Sequence, residues 1–241
     1  MKVSVIMPAY NAEDTISASI NSVLEQTHID IELIIINDCS TDSTEAEIKK
    51  YIDPRIIYII NKNNLGVSLT RNRGIEIATG NCIAFLDSDD LWEKDKIEKQ
   101  LLYIHSGYNI VCSNYFSMLN DKIISYRKSP EIIDYKIMLR SNFIGNLTGL
   151  YNSDILGKKY QKPIGHEDYV MWLDLIKENQ KVYCIQEPLA KYRLHNTSLS
   201  SNKLKTIKWQ WSIYRNELKL SPPKSIYYFS HYIINALKKR R

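Results

Sequence analysis

Three carboxylates fall within four positions, at Asp87, Asp89 and Asp90, immediately after the apolar run Cys82 to Leu86. Carboxylates this close repel one another unless something cationic compensates, and no basic side chain follows until Lys94. A divalent metal is the natural candidate. Mg2+ and Mn2+ take oxygen ligands, and such sites combine one or two carboxylates with the phosphates of a substrate. A polar turn is the other reading, with Asp89 or Asp90 capping a helix that begins near Leu91. The local sequence leaves both open. Two further polar stretches follow apolar runs: Pro8-Ala9-Tyr10-Asn11 after Val3 to Met7, and Asn37-Asp38 after Ile31 to Ile36. Asp38 can accept hydrogen bonds from a base or ribose, and Tyr10 can lie against a base. Glu167-Asp168, just inside a later helix, could equally complement the helix dipole. Neither a GxxxxGK[ST] loop nor a GxGxxG is present, which argues against a P-loop kinase and a dinucleotide dehydrogenase.

The elements that must carry these residues alternate. Short apolar runs read as buried strands at Val3 to Met7, Ile31 to Ile36, Arg55 to Ile60 and Cys82 to Leu86. Helical patterns separate them at Ala12 to Gln26, from Thr41 or Asp42 to about Tyr51, and Val67 to Ala78. Strand and helix in strict alternation predict a parallel, doubly wound α/β sheet, whose ligand sites lie at the carboxyl ends of the strands. Beyond Asp90 the order loosens. The spacing predicts helices over Lys94 to His105, Glu131 to Arg140 and from Glu167 onward. It predicts strands over Asn109 to Tyr115, Lys122 to Tyr126, Val182 to Ile185 and Leu189 to Leu194.

With 241 residues, 44% hydrophobic and 24% charged, the chain has the composition of a folded domain that buries a substantial core. Its net charge of +5 is unevenly spread: residues 202–241 hold ten Lys/Arg against Glu217 alone, a balance of +9 that leaves −4 for the rest. Cys39, Cys82, Cys112 and Cys184 form no CxxC or Cys/His pattern, so they are expected as small buried residues in a reducing compartment. The N-terminal apolar run is too short for a signal peptide, and no stretch approaches a membrane span.

Four segments together carry a resemblance: VSVIMPAYNAEDTISASINSVLEQT, ELIIINDCSTDST, NLGVSLTRNRGIEIATGNCIAFLDSDD and GHEDYVMWLDL. In this order and spacing, over roughly 1–201, the sequence resembles glycosyltransferase family 2, the inverting nucleotide-sugar transferases of the GT-A fold. The resemblance implies an α/β, Rossmann-like, mostly parallel sheet with a C-terminal helical extension. The nucleotide-binding half would span about 1–90, the acceptor-binding half about 91–201, and the extension 202–241. It implies that Pro8, Tyr10 and Asp38 bind the nucleoside, and that Arg71 faces the diphosphate. Asp87 and Asp89 would flank Ser88 in a DxD motif, with Asp89 the direct Mn2+ or Mg2+ ligand and Asp87 nearer the ribose. Asp168 would be the general base and Glu167 would position the acceptor. Tyr192 to Asn196 is similar to a later motif, in which Arg193 meets the diphosphate and His195 the metal. Asn37 stands where many relatives carry an acid, and no QxxRW motif of processive synthases is present.

The implied activity is transfer of one hexose or N-acetylhexosamine from UDP-glucose, UDP-galactose or a UDP-N-acetylhexosamine to a glycan hydroxyl. O-antigen, capsule or lipooligosaccharide assembly is the expected setting, with an acceptor on undecaprenyl diphosphate and no nucleic-acid partner. The basic, aromatic segment 202–241 suits an interfacial helix on anionic lipid, which predicts a cytoplasmic protein held peripherally at the inner membrane face; packing on the core is the alternative. A sugar-phosphate nucleotidyltransferase would need a Gly-rich loop with a basic residue after the first strand, which is lacking. A non-catalytic nucleotide-sugar binding module could dispense with Asp168.

Overall fold

A computed structural model describes residues 1–177, 180–194 and 203–238. Among these, ten strands form one mixed sheet. Residues 1–90 supply β1 (Val3–Ala9), β2 (Ile31–Asn37), β3 (Ile56–Ile60) and β4 (Cys82–Phe85), linked through α1 (Ile16–Leu24), α2 (Thr44–Lys49) and α3 (Val67–Ile77). These four strands are parallel, in the order β3–β2–β1–β4. The sheet continues through β9 (Leu150–Asn152), β6 (Ile110–Leu119), β10 (Val182–Arg193) and β5 (Leu91–Trp92). Here β9 is antiparallel to both neighbours and β6 parallel to β10. At the margin, β7 (Lys122–Arg127) pairs with β6 and β8 (Ile132–Ile133) with β10.

The first strands read as unbroken apolar runs because both faces are covered. Along β1, Val3, Val5 and Met7 enter one core with α1 and α4 (Lys96–His105), whereas Ile6 enters the other. β2 and β4 alternate likewise, with Leu33 and Ala84 on the first face and Ile34 and Phe85 on the second. The second core also takes α5 (Tyr135–Arg140) and α7 (Glu167–Ile176); a short α6 (Ser153–Leu156) follows β9.

Several elements differ from the sequence-based expectation. β1 continues through Pro8 to Ala9, since a proline at the end of a strand forfeits little of the ladder. A turn precedes α1, which starts at Ile16. No helix begins at Leu91: Leu91 and Trp92 pair with β10, and α4 starts at Lys96. The expected helix over 131–140 is a strand followed by a shorter helix, because the Asp134 carboxylate accepts from Ile137 N at 2.7 Å and sets the start after itself. Two expected closing strands are one, β10, whose register against β6 shifts on both sides of Pro188.

The extension is helical, with α8 (Lys203–Ser212), a π-helical turn (Ile213–Glu217) and α9 (Pro222–Lys238). It packs on the domain. Ile213 and Tyr214 are buried in the second core, and the Tyr214 hydroxyl donates to Leu139 O at 2.6 Å. Cys82, Cys112 and Cys184 are buried as expected; Cys39 is half-buried, and all four are free thiols.

Candidate active site

The carboxyl ends of β1, β2 and β4 open into a cleft of about 790 Å3, lined among others by Pro8, Tyr10, Asp38, Asp87, Ser88 and Asp89. Topology creates it, since parallel strands deliver their following loops to one edge. Asn11 and Cys39, which follow β1 and β2, hold positive φ angles of 47° and 62°. Such backbone is uncommon outside glycine and collects at functional sites. The Asn11 side chain accepts from Thr41 N at 2.8 Å, joining the two loops. Thr15 donates to Ser88 O at 2.9 Å, so the start of α1 braces the acidic loop.

Asp38 is 3% exposed and organises the cleft floor. One carboxylate oxygen accepts from Asn61 Nδ2 at 2.6 Å and Leu65 N at 2.8 Å, and the other from Gly66 N at 2.9 Å. A carboxylate offers about four lone-pair sites, so three internal donors leave little capacity for a ligand. Gly66, with φ at 81°, makes the turn into α3 that an L side chain would strain.

Arg71 joins the acidic loop to the later helix. Only 4% exposed, it donates from Nη2 to both Asp87 oxygens at 2.6 and 2.8 Å. Its Nη1 reaches Glu167 at 3.3 Å and Gln161 at 3.2 Å. Burial opposes its charge, but Asp87, Glu167 and Asp168 outweigh that and hold its pKa above the usual arginine value. Asn72 and the Gln161 backbone exchange two hydrogen bonds, at 2.8 and 2.7 Å, fastening the segment before α7 to α3. Burial, then Asp168, pushes Glu167 above its ordinary value, and Arg71 pulls the other way.

Asp90 is 1% exposed. It accepts from Arg193 N at 2.9 Å, anchoring the end of β10. Burial first, then Asp89 and Asp87, drives its carboxyl well above the carboxylate range.

Asp168 lies beside a second cavity of about 720 Å3, lined among others by Tyr115, Arg127, Lys128, Asn142, His166 and Tyr232. Asn142 Nδ2 donates to the Asp168 carboxylate at 3.3 Å. His166, in the left-handed conformation at φ 61°, starts α7. A Cβ on Gly165 would stand 2.0 Å from the Trp209 ring, so the extension closes directly against the approach to α7.

The sequence profile of glycosyl transferase family 2 matches residues 4–156. The chain belongs to that family. WfgD of Escherichia coli, named as a UDP-Glc:alpha-D-GlcNAc-diphosphoundecaprenol beta-1,3-glucosyltransferase, is 38% identical over 98% of this chain and 94% of its own length. TuaG of Bacillus subtilis (strain 168), a glycosyltransferase named for teichuronic acid biosynthesis, is 39% identical over 99% of this chain and 97% of its own. Among solved structures, S. aureus TarS 1-349 in complex with UDP-GlcNAc superposes with a TM-score of 0.75 at 19% identity, covering 97% of this chain and 72% of that one. The fold is therefore GT-A-like.

The residues singled out in this family 2 sequence have separate fates. Pro8, Tyr10, Asp38, Asp87, Ser88 and Asp89 share the cleft. Arg71 lies behind it, paired with Asp87, rather than in its lining. Arg193 points its Nε at Asp89 O at 3.0 Å and pairs through Nη1 with Asp121 at 2.6 Å. His195 lies outside the described residues. Asn37 is fully buried and structural, donating to Tyr58 and accepting from Ser40 N. Sequence reasoning missed Asn142 and Gln161, which no motif or period marks.

The donor set suits a hard cation, since two carboxylates, Asp87 and Asp89, face the cleft. No group of three or more His, Cys, Asp or Glu spaced to hold a metal occurs among the described residues.

Proposed function

We propose that the chain is an inverting hexosyltransferase that moves glucose from UDP-glucose to a hydroxyl of a sugar carried on undecaprenyl diphosphate, in bacterial surface-polysaccharide assembly. The observation that carries this reading is the Arg71 clamp, which holds Asp87 of the donor cleft and Glu167 of α7 around one guanidinium. The clamp thereby ties the acidic loop to α7, whose next residue, Asp168, is the candidate base. The full-length similarity to WfgD, and to WfaP of Escherichia coli, which bears the same activity name and is 36% identical over 98% of this chain, supports the choice of donor and acceptor.

The uridine diphosphate would lie across Pro8, Tyr10 and Ser88, over the floor built by Asp38. Asp89 and Asp87 would hold Mn2+ or Mg2+, which when bound offsets charge developing on the leaving diphosphate without a proton transfer. From the opposite side, Asp168 takes the proton of the acceptor hydroxyl as its oxygen attacks the anomeric carbon. Asn142 holds the carboxylate in place. Glu167 and Arg71 keep α7 seated against the acidic loop. The acceptor sugar would occupy the cavity beside Asp168, with Arg127 and Lys128 on its diphosphate.

The test is transfer from labelled UDP-glucose to a GlcNAc-α-diphosphate lipid in the presence of Mn2+, with the new anomeric configuration read by NMR. A β-glucoside is expected, and Asp168→Asn should slow transfer about 10²–10⁴-fold while UDP still binds. An α-glucoside would refute inversion. A normal rate in Asp168→Asn would remove the base, whereas UDP binding without any transfer by the unaltered chain would favour a binding module.

A further inference from the structure

α9 is packed on one side and bare on the other. At 3.6 residues per turn, Ser225, Tyr228, Phe229 and Tyr232 fall on one side. Ser225 is fully buried, and Tyr228 and Phe229 pack against the second core. Asn235 adds a bond to Arg140 O at 3.2 Å. Tyr227 and Ile234 fall on the opposite side, with Ile226, Ile233 and Leu237 along the flank beside them, and all five are exposed. Ile226 keeps 60% of its surface in solvent and Leu237 58%. Eleven residues separate Ile226 from Leu237, so the stripe runs about 16 Å along the helix. Contiguous apolar surface of this kind on a monomer marks an interaction site.

Charge identifies the partner. Lys224 and His231 border the stripe, and residues 202–241 carry a balance of +9. The one acid of this segment, Glu217, is already paired with Lys162 at 2.5 Å. A second copy of the chain would bring the same positive charge to a self-complementary contact. A surface both apolar and anionic answers both features. No helix among the described residues is long and apolar enough to cross a membrane.

We propose that α9 lies in the interface of an anionic lipid bilayer, parallel to its surface, with Ile226, Ile233, Ile234 and Leu237 inserted and the basic side chains among the headgroups. The inner side of the same helix lends Tyr232 and Asn235 to the cavity beside Asp168. Docking thus brings that cavity to the lipid surface. The lipid contact stands on the helix alone; the link to the acceptor rests on the proposed function.

Flotation of the full chain with phosphatidylglycerol-containing vesicles tests the contact. The chain should float with them, less at high salt and less with phosphatidylcholine alone. Ile226→Ser/Ile233→Ser/Leu237→Ser should lower partitioning at least about tenfold, with circular dichroism and UDP binding unchanged. The triple variant should glucosylate a short-chain, water-soluble acceptor like the unaltered chain, yet lose transfer to a vesicle-borne one. Equal flotation of the triple variant, no flotation of the unaltered chain, or a dimer that the triple substitution dissociates would overturn the proposal. If neither acceptor is glucosylated while flotation behaves as stated, the function reading fails and the lipid contact stands.

Discussion

Replacing Arg71 by Met keeps side-chain length and removes charge at the point where two halves of the site meet. The guanidinium is 5% exposed, and its partners Asp87 and Glu167 keep 33% and 21% of their side-chain surface. Removing one partner of a buried pair costs about 3–5 kcal/mol. The partial exposure of both carboxylates favours the lower figure, about 3 kcal/mol. The sign with pH follows from Glu167, which burial and Asp168 already raise and which Arg71 pulls back down. Without Arg71 its pKa should climb further, since the adjacent cation that favours the carboxylate is gone. The folded state then binds a proton that the unfolded chain releases above its ordinary value of 4.5, so the stability deficit grows as pH rises from there to neutrality. Urea unfolding at pH 5 and pH 7.5 should therefore show a larger loss at the higher pH. The acid limb of the pH–rate profile should move up, and Arg71→Lys, which keeps the charge but not the fork, should fall between. If Arg71→Met unfolds with the unaltered chain at both pH values and its acid limb stays put, the clamp is not what holds the two halves together.

Asp89→Asn should abolish metal-dependent transfer and make UDP affinity indifferent to Mn2+ in calorimetry, while the melting temperature stays unchanged. Glu32 accepts from Ser4, Lys2 and Thr79, and those bonds, working against burial, bring its pKa down from 4.5 to about 2. Glu32→Gln should accordingly cost about 3 kcal/mol in chemical denaturation at neutral pH. That contribution is complete above about pH 5 and disappears as pH falls toward 2. Lys96 is fully buried, with its ammonium on Gln100 at 2.6 Å and over the Trp92 ring at 3.9 Å, and burial depresses its pKa well below the lysine value. Lys96→Met should be neutral or stabilising at pH 7, and the gain should vanish as pH approaches that of an unfolded lysine, about 10.4.

Much of residues 1–90 was legible in the chain order. β1, β2 and β4 are apolar throughout because both their faces are covered, and parallel connections force Asp38, Asp87 and Asp89 to one edge. Those three acids could therefore be assigned to one cleft before any coordinate was known. Arg71 could not be assigned in that way. Its position in α3 reads as an ordinary helix residue, and its partners lie 16 and 96 residues further along the chain. Asp90 resisted for the same reason, since what engages it, Arg193 N, is 103 residues away. In the extension, the sequence showed aromatic and basic composition but not which face of α9 would be spent on the core.

What the sequence alone determined is the strand–helix alternation up to β4 and the edge on which the acids emerge, both written in local runs and spacings, while its motifs carried the resemblance to the family. The tertiary structure decided which charges meet: Arg71 with Asp87 and Glu167, Asp168 with Asn142, and the extension against Gly165. The reason is physical. Periodicity is a property of neighbours along the chain, whereas burial and electrostatic pairing depend on distances that exist only once the chain has folded.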